Sequence, residues 1–143
     1  MLELIRVTEE WQRAGVYYVR CAGMLKEFGV TLAREFEDDS AGFTYILALD
    51  DNIPVSTCRL HYLDETTGKI ERVCTVGSYR NRGIGAKVIR AAEDWMKENG
   101  VKRIQISSRE AALPFYERLG YTPDPKNVSG SGAFRCVMTE KKV

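Results

Sequence analysis

A glycine-rich turn stands between a strand-like segment and a helical one, and it constrains the fold of this chain more than any other feature. Residues 70–76 are rich in β-branched side chains, which suits a pleated strand. From residue 85 onward apolar side chains recur at helical spacing, and Gly100 ends that pattern. The run Arg-Asn-Arg-Gly-Ile-Gly at residues 80–85 therefore predicts a strand, a turn and a helix, with the glycines at the helix N-terminus.

A helix that begins in this way favours the binding of an anion. Its first backbone N–H groups have no partner inside the helix, and the helix dipole adds about half a positive charge there. Glycine at positions 83 and 85 lets an anion approach the backbone closely. Two other phosphate motifs are excluded, because residues 85–87 lack the Gly-Lys-Ser/Thr of a Walker loop and residues 86–88 do not complete a dinucleotide fingerprint.

The charge of the chain is nearly balanced overall but uneven along its length. The formal net charge is +1, yet basic side chains outnumber acidic ones over residues 71–110 and the reverse holds over residues 1–70. The local basic excess suits a ligand with several phosphates, although Lys87 and Arg90 fit a solvated helix face equally well. We expect no nucleic-acid partner, because no long basic stripe with interleaved aromatic residues is present.

Compartment and metal content are predicted from the cysteines and from apolar runs. No apolar run reaches the roughly 18 to 20 residues of a membrane span, and residues 1–4 lack the pattern of an export signal, so we expect no membrane partner. The cysteines are scattered, with His61 as the one histidine. They are Cys21, Cys58, Cys74 and Cys136. This spacing predicts reduced thiols, no metal and a cytoplasmic protein.

A second motif, Ala-Leu-Pro-Phe-Tyr-Glu-Arg-Leu-Gly-Tyr at residues 112–121, follows a predicted short strand at residues 103–107. In order and separation, the two motifs resemble the R/Q-x-x-G-x-G/A loop and the A-x-x-F-Y-E-x-x-G-F/Y helix of the GNAT superfamily of N-acetyltransferases. The resemblance is strong over residues 69–121 and topologically consistent elsewhere. It implies an α/β (α+β) fold in one domain over residues 1–143, with a mixed central sheet of about six to seven strands and flanking helices.

The resemblance also implies an activity. Enzymes of this superfamily move an acetyl group from acetyl-CoA to a primary amine, on a small molecule or a peptide, and they are often homodimers. The alternative is a module of the same fold that binds acyl-CoA for sensing or assembly with little turnover.

Coenzyme contacts are carried over from the two motifs. The pantetheine arm pairs with the fourth strand, a backbone N–H of that strand polarises the acetyl carbonyl, and the following loop cradles the pyrophosphate. The implied cofactor-binding residues are Cys74, Thr75, Val76, Arg80, Asn81, Arg82, Gly83, Ile84, Gly85, Ala86 and Arg109. Arg109 stands where many family members have Asn, so its side chain either reaches a phosphate or faces solvent.

Two catalytic residues are predicted from the resemblance. Tyr116 occupies the position of the family's tyrosine that faces the coenzyme sulfur, and a phenol with a pKa near 10 can donate a proton to a thiolate. The alternative is that Tyr116 only packs beside Phe115. Glu71, near the catalytic glutamate of several relatives, is the candidate general base, and His61 or a chain of waters are the other candidates. The acidic residues 35–39 either hold a cationic acceptor or form a solvated loop.

The remaining chain predicts short elements around this centre. A first strand near residues 2–5 precedes a helix capped by Thr8 and ended by Gly29. Its predicted buried face comprises Trp11, Ala14, Tyr18, Ala22 and Leu25. A buried strand at residues 43–49, a turn at 50–52 and a third strand at 53–63 lead to the turn before the fourth strand. Two further strands, from residue 121 and over residues 133–139, flank a flexible segment at 127–132.

Overall fold

Seven β-strands form one mixed sheet in the structure, a computed structural model that describes residues 1–40 and 42–143. The strands are Leu2–Arg6 (β1), Thr44–Asp50 (β2), Ile53–Tyr62 (β3), Thr67–Thr75 (β4), Arg103–Arg109 (β5), Thr122–Ser129 (β6) and Cys136–Lys142 (β7). They lie in the order β1-β2-β3-β4-β5-β7-β6, and neighbours are antiparallel apart from the parallel pair β4 and β5. This confirms the predicted mixed sheet of six to seven strands.

Helices cover both faces of the sheet. They are Glu10–Arg20 (α1), Lys26–Phe28 (α2), Leu32–Glu35 (α3), Ile84–Glu98 (α4) and Leu113–Arg118 (α5). A π-helical turn, Cys21–Leu25, joins α1 to α2, and short 3₁₀ turns lie at Gly77–Tyr79, Glu110–Ala112 and Gly132–Phe134. Gly29 ends α2 in the left-handed conformation, as predicted. None of the helices in the described ranges is long and apolar enough to cross a membrane.

Strand β2 shows how the core is divided between the two faces. Its residues alternate, so that Ile46 and Ala48 join the cluster under α4 while Tyr45, Leu47 and Leu49 join the cluster under α1. The predicted apolar stripe of α4 is confirmed: Trp95 is half-buried, and the others are fully buried. The buried members are Val88, Ile89, Ala92 and Met96. Lys87 and Arg90 lie on the exposed face of α4.

Helix α1 differs from the prediction at its start and on its buried face. Glu9, not Thr8, is the N-cap, and it forms a capping box with Gln12. Trp11 and Tyr18 are 62% and 57% exposed. The buried face instead comprises Gly15, Val16, Val19 and Arg20. The prediction was wrong because a charged residue stands in the buried stripe, where ion pairs described below compensate its charge.

The C-terminal strands also lie slightly later than predicted. Strand β7 begins at Cys136, because Gly132–Phe134 forms a 3₁₀ turn. Strand β6 extends to Ser129, so the first part of the segment predicted to be flexible is paired with β7. The predicted turn between β2 and β3 is confirmed, with positive φ angles of 47° at Asp51 and 68° at Asn52.

Candidate active site

A cleft opens where the parallel strands β4 and β5 separate. The two strands pair only from Thr67 to Lys69 on the β4 side, and beyond that point they diverge. A bulge in β4 accompanies the divergence: Thr57 of β3 faces Cys74, but Arg59 faces Glu71, so β4 holds one extra residue. Arg72 adopts a positive φ of 51° at this bulge. The divergence leaves a cavity of about 210 Å³ between the strands.

The cavity is lined by residues from three elements that are separate in the sequence. Glu71 and Cys74 of β4, Arg109 at the end of β5, and Tyr116 of α5 all line it. Both predicted catalytic residues and two of the predicted coenzyme residues therefore share one cavity.

The glycine-rich loop lies beside the end of β4. Asn81 and Gly83 have positive φ angles of 62° and 79°, and Gly83 is the N-cap of α4. At Gly85 an added Cβ would make only ordinary contacts, 3.5 Å from Cζ of Phe115 and 3.7 Å from Oγ1 of Thr75. Gly83 is thus favoured by its left-handed backbone conformation, whereas a side chain at Gly85 would fit with ordinary contacts. Ile84 and Ala86 complete the first turn of α4, whose N–H groups have no partner inside the helix.

The two arginines of the loop have different surroundings. Arg80 donates through Nε to the carbonyl oxygen of Thr75 at 3.0 Å, and its guanidinium pairs with Glu27 of α2 at 2.7 Å. It therefore ties the loop to β4 and to α2. Arg82 lies over the ring of Tyr79, 4.8 Å from the centroid. Glu27 was not identified from the sequence, because it stands 53 residues before its partner and belongs to neither motif.

Backbone hydrogen bonds distinguish the three coenzyme-binding candidates at the end of β4. The N–H of Val76 donates to the carbonyl oxygen of Val55 at 2.9 Å, and its own carbonyl accepts from Tyr79 at 2.8 Å. Because successive residues of a strand point their backbone groups to opposite edges, the N–H of Thr75 faces the cleft edge. Of the two backbone groups of Thr75, the carbonyl accepts from Arg80, and the N–H is the group that faces a ligand there.

Tyr116 is both packed in the core and exposed to the cleft cavity. Its side chain is 7% exposed, and its ring makes edge contacts with Phe115 and Tyr121 at centroid distances of 5.0 Å and 6.3 Å. Burial raises the pKa of Tyr116 above that of a free phenol, although the positive charge of Arg109 opposes the shift. The hydroxyl group therefore keeps its proton at neutral pH.

Glu71 is held by cationic neighbours on the floor of the cleft. Its Oε2 accepts from Nε of Arg59 at 2.9 Å, and its Oε1 lies 3.3 Å from Nδ1 of His61 and 3.5 Å from Nζ of Lys69. Burial acts to raise the pKa of Glu71, but the hydrogen bonds and charge of Arg59 outweigh it and lower the pKa below the usual value. Glu71 is therefore ionised at neutral pH.

Three carboxylates of the acidic segment before β2 are paired with arginines: Glu35 and Asp39 are buried or partly buried, and Asp38 is half-exposed. Arg20, which is 1% exposed, binds Oε2 of Glu35 at 2.9 Å and both carboxylate oxygens of Asp39 at 2.8 Å. Arg59, which is 3% exposed, binds Asp39 at 3.0 Å and Asp38 at 3.1 Å. Hydrogen bonds from Arg59 lower the pKa of Asp38 to about 2. The sequence pattern did not identify Arg20 and Arg59 as the partners of these carboxylates.

The cysteines Cys21, Cys58, Cys74 and Cys136 are free. Burial raises the pKa of Cys58 to about 12 and that of Cys74 to about 11. Both thiols therefore stay protonated at neutral pH, and Cys74 is a poor nucleophile despite its place in the cleft wall.

Comparison with known proteins identifies the family. Residues 3–121 match the model of the acetyltransferase (GNAT) family. A provisionally named acetyltransferase of Bacillus subtilis (strain 168) is 30% identical over 139 residues, which is 95% of this chain and 94% of that protein. A provisionally named N-acetyltransferase from Lactobacillus plantarum has a solved structure with a TM-score of 0.90 at 29% identity, covering 99% of this chain and 97% of that one.

A more distant structure contains a ligand. The PaiA N-acetyltransferase from Thermoplasma acidophilum, solved in complex with coenzyme A, has a TM-score of 0.77 at 14% identity, and the match covers 100% of this chain and 99% of that one. That likeness shows a common fold. Together with the match over residues 3–121, these findings show that the chain belongs to the GNAT family of acetyltransferases.

Proposed function

We propose that this protein is an N-acetyltransferase that moves an acetyl group directly from acetyl-CoA to a primary amine of a small molecule or peptide. One observation carries the proposal. A protonated Tyr116 and an ionised Glu71 line the cleft between β4 and β5, and the N-terminus of α4 lies next to that cleft. The family is shown, and the coenzyme bound to the PaiA structure of the same fold supports this choice of donor.

Coenzyme binding would use backbone groups rather than side chains. The N–H groups from Arg82 to Ala86 would bind the pyrophosphate at the start of α4, as expected for an anion at a helix N-terminus. The N–H of Thr75 on the open edge of β4 would donate to the acetyl carbonyl and stabilise the oxyanion as it forms. Arg80 would hold the loop in place through Glu27 and the Thr75 carbonyl.

Acetyl transfer then requires two proton movements. The amine loses a proton, and we assign its acceptor as Glu71, acting directly or through a water. The amine nitrogen attacks the acetyl carbon, and the carbon–sulfur bond breaks as the tetrahedral intermediate collapses. Tyr116 donates its proton to the departing thiolate, which leaves as the thiol of coenzyme A.

A second candidate function is an acyl-CoA-binding module with little turnover. It is favoured by the surroundings of Glu71, because both carboxylate oxygens already have cationic or histidine neighbours and the lowered pKa makes a weak base. The two functions differ in turnover and not in coenzyme affinity. An amine-dependent release of free thiol from acetyl-CoA supports the enzyme.

Calorimetric titration with acetyl-CoA tests the shared coenzyme site. Gly85→Glu places a carboxylate at the start of α4. The helix dipole stabilises a negative charge there, so we expect the variant to fold. The carboxylate would repel the phosphates of acetyl-CoA, so we expect the variant to lose coenzyme binding. Gly85→Gln has the same size without the charge and is the matched control. We expect Gly85→Glu to weaken binding more than Gly85→Gln. Absence of binding by the native protein would overturn both candidate functions.

We also propose a cytoplasmic location and a single domain over residues 1–143. The location is supported by the free thiols, since the cysteines of exported proteins are usually oxidised to disulfides. The domain assignment is supported by one sheet that contains strands from residue 2 to residue 142.

A further inference from the structure

Arg109 is an arginine of the cleft with no acidic partner among the residues that the structure describes. It is half-buried at the end of β5 and lines the cavity together with Tyr116 and Phe134. Its guanidinium carbon lies 5.0 Å from the ring centroid of Phe28, which in turn makes an edge contact with Phe134 at 6.0 Å. In residues 1–40 and 42–143, no carboxylate lies within 4.0 Å of this guanidinium.

The carboxylates near the cleft are already bound by other arginines. Arg20 holds Glu35, and Arg59 holds Glu71. Asp38, at the rim, is bound by both Arg59 and Arg72. Within residues 1–40 and 42–143, the cleft therefore offers an incoming ligand one guanidinium without a carboxylate partner, and its carboxylates are paired with arginines of the protein.

A guanidinium in the cleft that has no partner among the described residues favours an acceptor that carries a negative charge over one that carries only a positive charge. A cationic group would find no unpaired carboxylate in the described part of the cleft and would meet Arg109. A carboxylate would match the planar fork of the guanidinium with two parallel hydrogen bonds. The ring of Phe28 holds the guanidinium plane without using its donor groups.

We propose that Arg109 is the specificity residue for an acid group on the acceptor, so that the substrate class is a small amine that also carries a carboxylate, such as an amino acid. The inference rests on the proposed acetyl transfer. Because Arg109 and Tyr116 line the same cavity, the acid group of the acceptor would bind in the cavity in which we propose the acetyl transfer. The phosphates of acetyl-CoA are a different target, since they belong at the N-terminus of α4.

Matched acceptors test the proposal. Phenylalanine, phenylalaninamide and phenethylamine share one side chain and differ in the acid group, and the leucine series provides a second set. An aminophosphonate analogue of each distinguishes a carboxylate site from a general anion site. We expect kcat/KM to favour the acid over the amide by about tenfold to a hundredfold, the usual effect of one charged hydrogen-bonded pair.

Three variants separate recognition from other effects. Arg109→Met removes the charge but keeps the length, and it should bring the ratio of kcat/KM for acid over amide close to one; its affinity for acetyl-CoA is measured alongside. Arg109→Lys should restore part of the preference. Arg118→Met removes an exposed arginine on α5 and should change nothing. Circular dichroism checks that each variant is folded.

The outcomes distinguish this proposal from the one on which it depends. Equal kcat/KM for acid and amide overturns the role of Arg109 and leaves acetyl transfer standing. Weaker acetyl-CoA binding by Arg109→Met assigns Arg109 to the coenzyme and likewise overturns the role. For acceptors that are not turned over, calorimetry measures their binding to the complex of the protein with coenzyme A. Failure of every acid to bind also overturns the role of Arg109. Failure of acetyl-CoA itself to bind removes the proposed function.

Discussion

Gly23 lies so close to Cys74 that a Cβ atom at position 23 would overlap the cysteine Sγ. Gly23 is part of the π-helical turn after α1, and Cys74 is on β4 in the wall of the cleft. The thiol also lies 3.6 Å from the carbonyl oxygen of Val19, toward which its S–H points. This contact seats the end of α1 directly against the strand that we assign to the coenzyme.

The first prediction concerns this contact. Gly23→Ala should destabilise the protein by about 1–3 kcal/mol, because the methyl group overlaps Sγ in a packed interior. An alanine would otherwise favour a helix by roughly 1 kcal/mol, so a loss of stability is diagnostic. Urea unfolding measures the change.

Cys74→Ala supplies the matched partner for that measurement. Without Sγ the nearest side-chain atom at position 74 is Cβ, 4.0 Å from the added methyl group, which is an ordinary contact. The double variant Gly23→Ala/Cys74→Ala should therefore be more stable than the sum of the single changes predicts. Strict additivity would show that the overlap is relieved elsewhere.

Local signals in the sequence were sufficient for most of the fold. The strands β2 and β3 and the helix α4 follow from apolar patterns and turn residues. Buried side chains recur at every second residue of a strand and at every third or fourth residue of a helix. Helix α1 departs from the prediction on its buried face. Arg20 lies in its buried stripe, and only the tertiary ion pairs with Glu35 and Asp39 explain why a charge is tolerated there.

Site residues in or near the two motifs were predictable from the sequence, but the partners that hold them were not. Tyr116 and Gly85 stand in contiguous patterns, and the structure places Tyr116 in the cleft cavity and Gly85 at the open start of α4. The ion pair between Arg59 and Glu71 joins two strands through a bulge, and the bulge is formed by an arginine with positive φ rather than by a glycine. A pairing of this kind depends on register, which apolar patterns do not specify to a single residue.

The second prediction assigns the proton donor. Tyr116→Phe should lower kcat by about a hundredfold, the lower range for loss of a general acid, with unchanged affinity for acetyl-CoA. An acid acts below its pKa, and burial raises the pKa of Tyr116. The native enzyme should therefore show no alkaline loss of kcat up to about pH 10, the ordinary pKa of tyrosine.

Tyr121 is the control for that variant because it belongs to the same motif and is also buried. Its hydroxyl donates to Oε2 of Glu93 at 2.7 Å, outside the cleft cavity. Tyr121→Phe should cost stability, about 1–3 kcal/mol for an unsatisfied buried partner, and leave kcat unchanged. A native kcat in Tyr116→Phe would remove Tyr116 as the acid.

The third prediction separates catalysis from structure at Glu71. Glu71→Gln and Asp38→Asn each remove one carboxylate from Arg59, so both should lower the free energy of unfolding. Only Glu71→Gln should lower kcat, because Asp38 has no assigned role in proton transfer. Equal kcat in the two variants would indicate that Glu71 acts through structure alone and that another group takes the proton.

The pH dependence of kcat and of the free energy of unfolding follows from the lowered pKa values of Glu71 and Asp38. A base acts above its pKa, and that of Glu71 lies below the usual 4.5, so the protonation of Glu71 should not limit kcat at neutral pH. Asp38 has a pKa of about 2 in the folded protein and 3.8 as a free group, so its contribution to stability is complete above about pH 5 and lost progressively toward pH 2. Since Asp38 is half-exposed, we expect that contribution to be no more than about 1 kcal/mol. Urea unfolding from pH 7 to pH 2 should show the stability difference between native protein and Asp38→Asn shrink as the pH falls, and a constant difference would contradict the assigned ion pair.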